Sequence, residues 1–353
     1  MAKALNHSVM RAGLETLYFS GAHMLLRPLL AGVGAILTLH HVRPPRPDRF
    51  QPNRLLEVAP AFLDALLRDL RRAGIDIIDL DEVHRRLTER DFRRRFVSIT
   101  IDDGYRDTLE HAYPALKRYD APFAVYVPTS FPDRLGQLWW LALEAIIARN
   151  ARIGLLIDGV ERHFDCASLA DKRVLFEDLY WWLRSFETED ELRRAVGDLC
   201  GRYRIDIARY CDDMCMTWEE IVQLAADPLV TIGAHTVNHV ILNKVTDRSV
   251  RTEIQMGTAV LEAALGKKPE HFAYPFGDSR SAGPREFQVA ADLGFKTAVT
   301  TRPGVLFAEH RDHLLALPRI SINGNYQALR YTRVLLSGAP TALANRFRRV
   351  DAA

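Results

Sequence analysis

Cysteine is scarce in this chain: Cys166, Cys200, Cys211 and Cys215 are all that 353 residues contain. None stands in the paired Cys-x-x-Cys spacing of a zinc ribbon, so neither a cysteine metal site nor a disulfide scaffold is implied. Cys211 and Cys215 would face each other across one helical turn, and all four are expected as free thiols in a reducing compartment. Long apolar runs are also missing. The apolar stretch 29–39 is 11 residues long, against about 20 for a helix that crosses a bilayer. Arg27 and Pro28 break it on one side, and Met1 to Ala22 is too mixed to read as an export signal. A buried helix and strand are expected there, with a cytoplasmic location and peripheral membrane contact through residues 8–30 left open. An excess of one charge is absent as well. The 47 Lys and Arg nearly balance the 45 Asp and Glu, for a net +2. That argues against the clustered basic stripe of a nucleic-acid binder. The runs Arg93–Arg95 and Arg346–Arg349 read as solvated faces.

What remains is 48% hydrophobic and 26% charged, enough for one large α/β domain or two small ones. Short β-branched runs alternate with helical patterns, the signature of parallel strands joined by crossover helices. Strands are expected at 35–39, 76–79, 96–101, 123–127, 230–233, 271–274, 296–300 and 316–320. Leu63, Leu66, Leu67 and Leu70 form one stripe of a helix over 60–73, closed by Gly74. Thr217-Trp218-Glu219-Glu220 has the form of a capping box opening a helix over 218–226, and 250–265 reads as another amphipathic helix. Residues 132–216 break the rhythm. They are helical in pattern and aromatic-rich (Trp139, Trp140, Tyr180, Trp181, Trp182), with one strand signal at 153–157. The indoles either pack this insertion onto the rest or stack on a sugar. The segments before and after the strand–helix region, 1–34 and 321–353, read as helical.

Reactive residues recur just after the strands. His40 and His41 follow the first, Asp102 and Asp103 the third, His235 the fifth, and Tyr274-Pro275-Phe276-Gly277 the sixth. In a barrel of parallel strands the carboxyl ends carry the active site. The fold class expected is therefore α/β, a distorted (β/α)7–8 TIM-like barrel over 35–320 with a helical insertion. At a strand end, Asp102 and Asp103 diverge, so one carboxylate can hold a metal while the other faces water. Alone, Asp103-Gly104 reads first as a turn signal. His235 and His239 stand at i and i+4, where both imidazoles can reach one ion. Thr236 and Asn238 between them can cap the turn or orient a ring. The conjunction gives a two-His-one-carboxylate set, as a mononuclear metal hydrolase requires.

These residues resemble a known family: the polysaccharide deacetylases of the nodulation chitooligosaccharide deacetylase homology type, carbohydrate esterase family 4. Thr100 to Gly104, Gly233 to His239 and Tyr274 to Gly277 carry the resemblance. Asp107, Tyr113, Pro114 and Met216-Thr217-Trp218 add to it. It implies a divalent ion, zinc foremost with cobalt, nickel or iron as substitutes, on Asp103, His235 and His239. It implies Asp102 as general base on the metal-activated water and the Phe276 backbone N–H as oxyanion donor. Tyr274, Pro275, His41 and Arg319 are candidates to touch a carbohydrate substrate. Two departures stand out. Many members carry an arginine where this chain has Ala273, and many take the general acid from a late histidine that is missing around Leu317 to Ile320. The circularly permuted subset, similar to biofilm poly-N-acetylglucosamine deacetylases, takes that histidine from the first strand. His40 is then the general acid, with His41 in reserve, and Arg319 is a candidate to replace the missing arginine. The resemblance implies N-deacetylation of a polysaccharide, oligosaccharide or lipid-linked glycan. A deformylase or cyclic-amide hydrolase on the same barrel, or a non-catalytic carbohydrate-binding barrel, are the rivals. Oligomeric state is not legible in the sequence.

Overall fold

The computed structural model describes residues 7–157 and 159–352; the first six residues of the N-terminal segment expected as helical, and the last residue of the C-terminal one, lie outside them. Seven parallel strands close a ring: β1 (Gly34–Leu39), β2 (Phe96–Ile101), β3 (Phe123–Val127), β4 (Val230–Ala234), β5 (His271–Ala273), β6 (Thr297–Pro303) and β7 (Leu317–Ser321). Each pairs with the next in chain order, and β1 closes the ring by pairing with both β7 and β2. Helices cover the outside, so strands such as β1 and β2 are buried along their full length, as parallel strands with two covered faces must be. The fold is the seven-stranded form of the expected (β/α)7–8 barrel.

Several local expectations need adjusting. The strand expected at 76–79 is only Asp76–Ile77, a spur that pairs with β2 outside the ring. Residues 132–216 hold helices Trp139–Arg149, Leu169–Leu183, Glu189–Tyr203 and Arg209–Met214. They also hold an antiparallel hairpin, Arg152–Ile157 with Val160–Asp165, whose second strand is too exposed and polar to leave an alternating signal. Their apolar faces join Phe50, Tyr105 and Ile241 in a second core beside the barrel's own. Cys215 falls just past its helix, and all four cysteines are free and buried. Arg95 is not a solvated residue. Its guanidinium donates to the carbonyls of Ala31 and Leu336, and burial pushes it down to about 10. The apolar stretch 29–39 also splits. Its strand half is buried, whereas Leu29, near the end of helix Ala22–Leu30, is 70% exposed. Among the described residues no helix is long and apolar enough to cross a membrane.

Candidate active site

The carboxyl ends of β1, β2, β4 and β5 bring His40, Asp102, Asp103, His235 and Phe276 to one end of the barrel. Asp103 Oδ1 lies 3.5 Å from His235 Nε2 and 3.2 Å from His239 Nε2. All three residues are nearly sealed from solvent. Ligand atoms of the three lie within 4.8 Å of one another, yet Asp103 Oδ1 is buried without a hydrogen bond. His235 Nδ1 sits 2.6 Å from the Ala273 carbonyl. That oxygen can only accept, so Nδ1 carries the proton and Nε2 turns its lone pair toward Asp103. Burial lowers the His239 imidazole despite the nearby Asp103, favouring the neutral ligand form. Burial would raise Asp103, but His239 and His235 outweigh it and hold the carboxyl well below its usual range. An orphan carboxylate oxygen with two imidazole nitrogens converging beside it fits a divalent cation.

Asp102 points elsewhere. Its two oxygens accept from Arg319 Nη1 and Nη2, each at 2.7 Å. Arg319 is held in turn by Thr100 Oγ1 at 3.0 Å and the Thr300 carbonyl at 2.8 Å. Burial alone would raise the Asp102 carboxyl; the guanidinium outweighs it and keeps the group ionised. Arg319 thus stands against Asp102 from β7. His40 Nε2 lies 3.9 Å from Asp102 Oδ2 and keeps 22% of its side-chain exposure. Burial lowers this imidazole, only partly countered by Asp102 and Asp103.

The residues expected to touch substrate, Tyr274, Pro275, His41 and Arg319, are all buried. The Tyr274 hydroxyl donates to the Leu315 carbonyl. His41 turns away from its neighbour His40, stacks on Tyr105 at 3.7 Å and places Nδ1 2.7 Å from Asp107 Oδ2. These are supports of the site. Trp139 and Trp140 are each 5% exposed. They pack the insertion against Phe276, with Trp140 5.3 Å from the His239 ring; only Trp181 among the insertion's tryptophans is open to solvent, at 39%.

The loops carrying these groups hold unusual backbone. Asp103, Thr236, His239 and Phe276 all have φ between 53° and 72°, a left-handed conformation that persists only where the surroundings impose it. Those surroundings include residues that sequence reasoning missed. Glu253, on helix Asp247–Leu265, accepts from the backbone N–H of Val237 at 3.1 Å and of Asn238 at 2.9 Å. One turn later Gly257 lets the helix touch the Thr236 backbone. Thr236 Oγ1 caps the turn by accepting from His239 N at 3.0 Å. Arg184, from the insertion, donates to Ser281 Oγ at 2.7 Å, pairs with Asp278 at 2.9 Å and lies 4.9 Å from the Phe276 ring centre. Thr236 was marked by its place between the histidines, but no spacing in the sequence marks Glu253, Gly257 or Arg184, because only folding brings them to the loops they brace.

The model of the family described as polysaccharide deacetylase matches residues 194–298. Residues 194–298 thus resemble part of a polysaccharide deacetylase domain. The matched stretch includes His235, His239 and the Tyr274–Gly277 loop of that domain. No curated protein matches the chain. Three solved structures share the deacetylase barrel. The Streptococcus pyogenes deacetylase PplD, in complex with acetate, has a TM-score of 0.56 at 20% identity, over 85% of this chain and 97% of that one. IcaB from Ammonifex degensii has a TM-score of 0.53 at 19% identity, over 86% and 96%. BC0361, a polysaccharide deacetylase from Bacillus cereus, has a TM-score of 0.53 at 15% identity, over 86% and 68%. At these identities the likeness is one of fold.

Proposed function

We propose that this chain is a metal-dependent hydrolase that removes N-acetyl groups from the amino sugars of a glycan, with the barrel over 35–320 as its catalytic unit. The observation that carries the reading is the convergence of Asp103, His235 and His239 beside a second carboxylate, Asp102, that Arg319 keeps ionised. Asp103, His235 and His239 would hold the cation, with zinc favoured over cobalt, nickel or iron. When bound, such an ion supplies Lewis acidity, polarising the amide carbonyl and lowering the pKa of water. Asp102 accepts a proton from the attacking water. The Phe276 N–H, which donates to no protein group among the described residues, faces the carbonyl oxygen as negative charge builds on it. His40 delivers a proton to the departing amine nitrogen, and acetate leaves.

The non-catalytic rival rested on a missing arginine and a missing late histidine. Arg319 on Asp102, with His40 beside it, weighs against that rival. The substrate is a polysaccharide, oligosaccharide or lipid-linked glycan, and a cytoplasmic chain in peripheral contact with a membrane fits that range. The test is product release from N-acetylglucosamine oligomers and nucleotide- or lipid-linked sugars by zinc- or cobalt-loaded protein. Acetate is expected. Formate alone, or no product despite bound metal, would return the deformylase or cyclic-amide reading.

A further inference from the structure

Half of the large apolar side chains that the described residues leave exposed fall in two short segments. Val9, Met10, Phe19, Met24, Leu25 and Leu29 belong to the helix pair His7–Phe19 and Ala22–Leu30; Leu343 and Phe347 belong to the segment packed on it. Leu25 is 81% exposed, Phe19 74% and Leu29 70%. A protein surrounded only by water has no use for such a cluster.

Its charge is one-sided. Residues 7–30 and 339–350 carry Arg11, Arg27, Arg346, Arg348 and Arg349 against a single acid, Glu15, which is engaged by Arg330 and Tyr331. Among the described residues Arg27, Arg346 and Arg348 have no carboxylate partner. Leu29, Phe347, Arg348 and Arg349 line one shared depression, which joins the end of the helix pair to the Phe347 segment; Arg349 there pairs with Glu309 at 2.9 Å. Exposed Phe, Leu and Met in segments that also carry arginines suit a bilayer interface with anionic headgroups, which takes the apolar side chains below the headgroups and the guanidinium groups at their level.

We infer that this helix pair and the segment around Phe347 dock the protein on an anionic lipid bilayer. The fold sets the orientation. Ala31 and Arg95 precede β1 and β2 and are bonded to each other, so the Leu29 end of the surface lies at the amino ends of the strands. His40, Asp102 and His235 lie at the carboxyl ends. Docked this way, the protein turns its catalytic face to solvent, toward glycan extending away from the membrane.

The full chain should be floated with vesicles of phosphatidylcholine alone and of phosphatidylcholine mixed equally with phosphatidylglycerol. It should float with the mixed vesicles and not with the neutral ones. Phe19→Glu with Leu25→Glu should abolish flotation, while Val222→Glu, an exposed apolar position elsewhere, should not. Arg346→Glu with Arg348→Glu should weaken binding about fivefold or more for each arginine removed. No flotation with either vesicle would overturn the inference. So would a dimer in lipid-free solution that Phe19→Glu with Leu25→Glu turns into monomer, since the surface would then serve a second copy. Flotation is independent of the deacetylase reading. A further arm rests on that reading: vesicle-bound protein should still deacetylate soluble oligomers, and silencing by anionic vesicles alone would overturn the orientation.

Discussion

Replacing Gly257 by alanine sets two effects of comparable size against each other. Within helix Asp247–Leu265, alanine gains about 1 kcal/mol of propensity over glycine. Against that, a Cβ at 257 would stand 2.7 Å from both the carbonyl carbon and oxygen of Thr236, and 3.2 Å from Val237 N. Those are backbone atoms of the turn between His235 and His239, which cannot step aside as a flexible side chain would. Restoring ordinary contact requires the helix or the turn to shift by roughly 0.7 Å, and overpacking of this kind costs about 1–3 kcal/mol. Glu253 bonds the same turn from the same helix face, so a shift that relieves the clash strains those bonds. The clash wins. We expect Gly257→Ala to lose up to about 2 kcal/mol net and to bind a divalent ion about tenfold more weakly, the loss typical of disturbing the groups behind metal ligands. Urea denaturation of metal-free protein and zinc titration against a chromophoric chelator measure the two. Gly197→Ala is the control, because Gly197 lies in helix Glu189–Tyr203 with nothing near its Cβ position. Propensity alone should act there and stabilise the protein. If Gly257→Ala matches Gly197→Ala in stability and wild type in zinc affinity, the helix does not brace the metal turn and the reasoning fails.

Three further outcomes follow from the same geometry. Arg319→Met leaves Asp102 buried without its partner and should cost about 3–5 kcal/mol in urea melts; Arg319→Lys should recover only part, since an ammonium cannot repeat the two-pronged bond. Equal stability of wild type and Arg319→Met would show that the pair does not hold the base. Arg184→Ala, which frees the Phe276 loop from Asp278 and Ser281, should lower kcat about tenfold or more with little change in KM; an unchanged kcat would mean that the loop holds itself. His310 is buried, which pushes its imidazole down to about 4 from 6.5. As pH falls through that window the unfolded chain takes the proton first, so stability is lost, by up to about 3 kcal/mol at the acid end. Urea melts of His310→Gln across the window should show a shallower pH slope than wild type, and identical slopes would refute the assignment.

The barrel was legible because its buried strands are short, β-branched and spaced by amphipathic helices, and because the reactive residues stand just past the strand ends. Asp103 and His235 were legible because they stand just past strand ends, whereas the helical turn expected from His235 to His239 is instead a non-helical bend with Thr236 and His239 left-handed. What escaped depends on surfaces meeting. The strand Val160–Asp165 is exposed and polar, and so has no buried face to write an alternating pattern. Glu253 and Gly257 look like ordinary residues of an amphipathic helix until that helix lies on the metal turn. Tyr274, Pro275 and His41, expected at the substrate, are buried, with the Tyr274 hydroxyl on the Leu315 carbonyl and His41 on Asp107. Motifs mark where a chain bends around a site, without telling which side chains face in and which face back.

The central claim is that Asp102 acts as base beside a cation that other residues hold. The measurement that tests it most directly is acetate release by zinc-loaded wild type and Asp102→Asn on one N-acetylglucosamine oligomer, with bound zinc quantified in both. The account predicts equal zinc and a fall of about 100-fold or more in the variant's kcat. A variant that keeps both its zinc and its activity would contradict it.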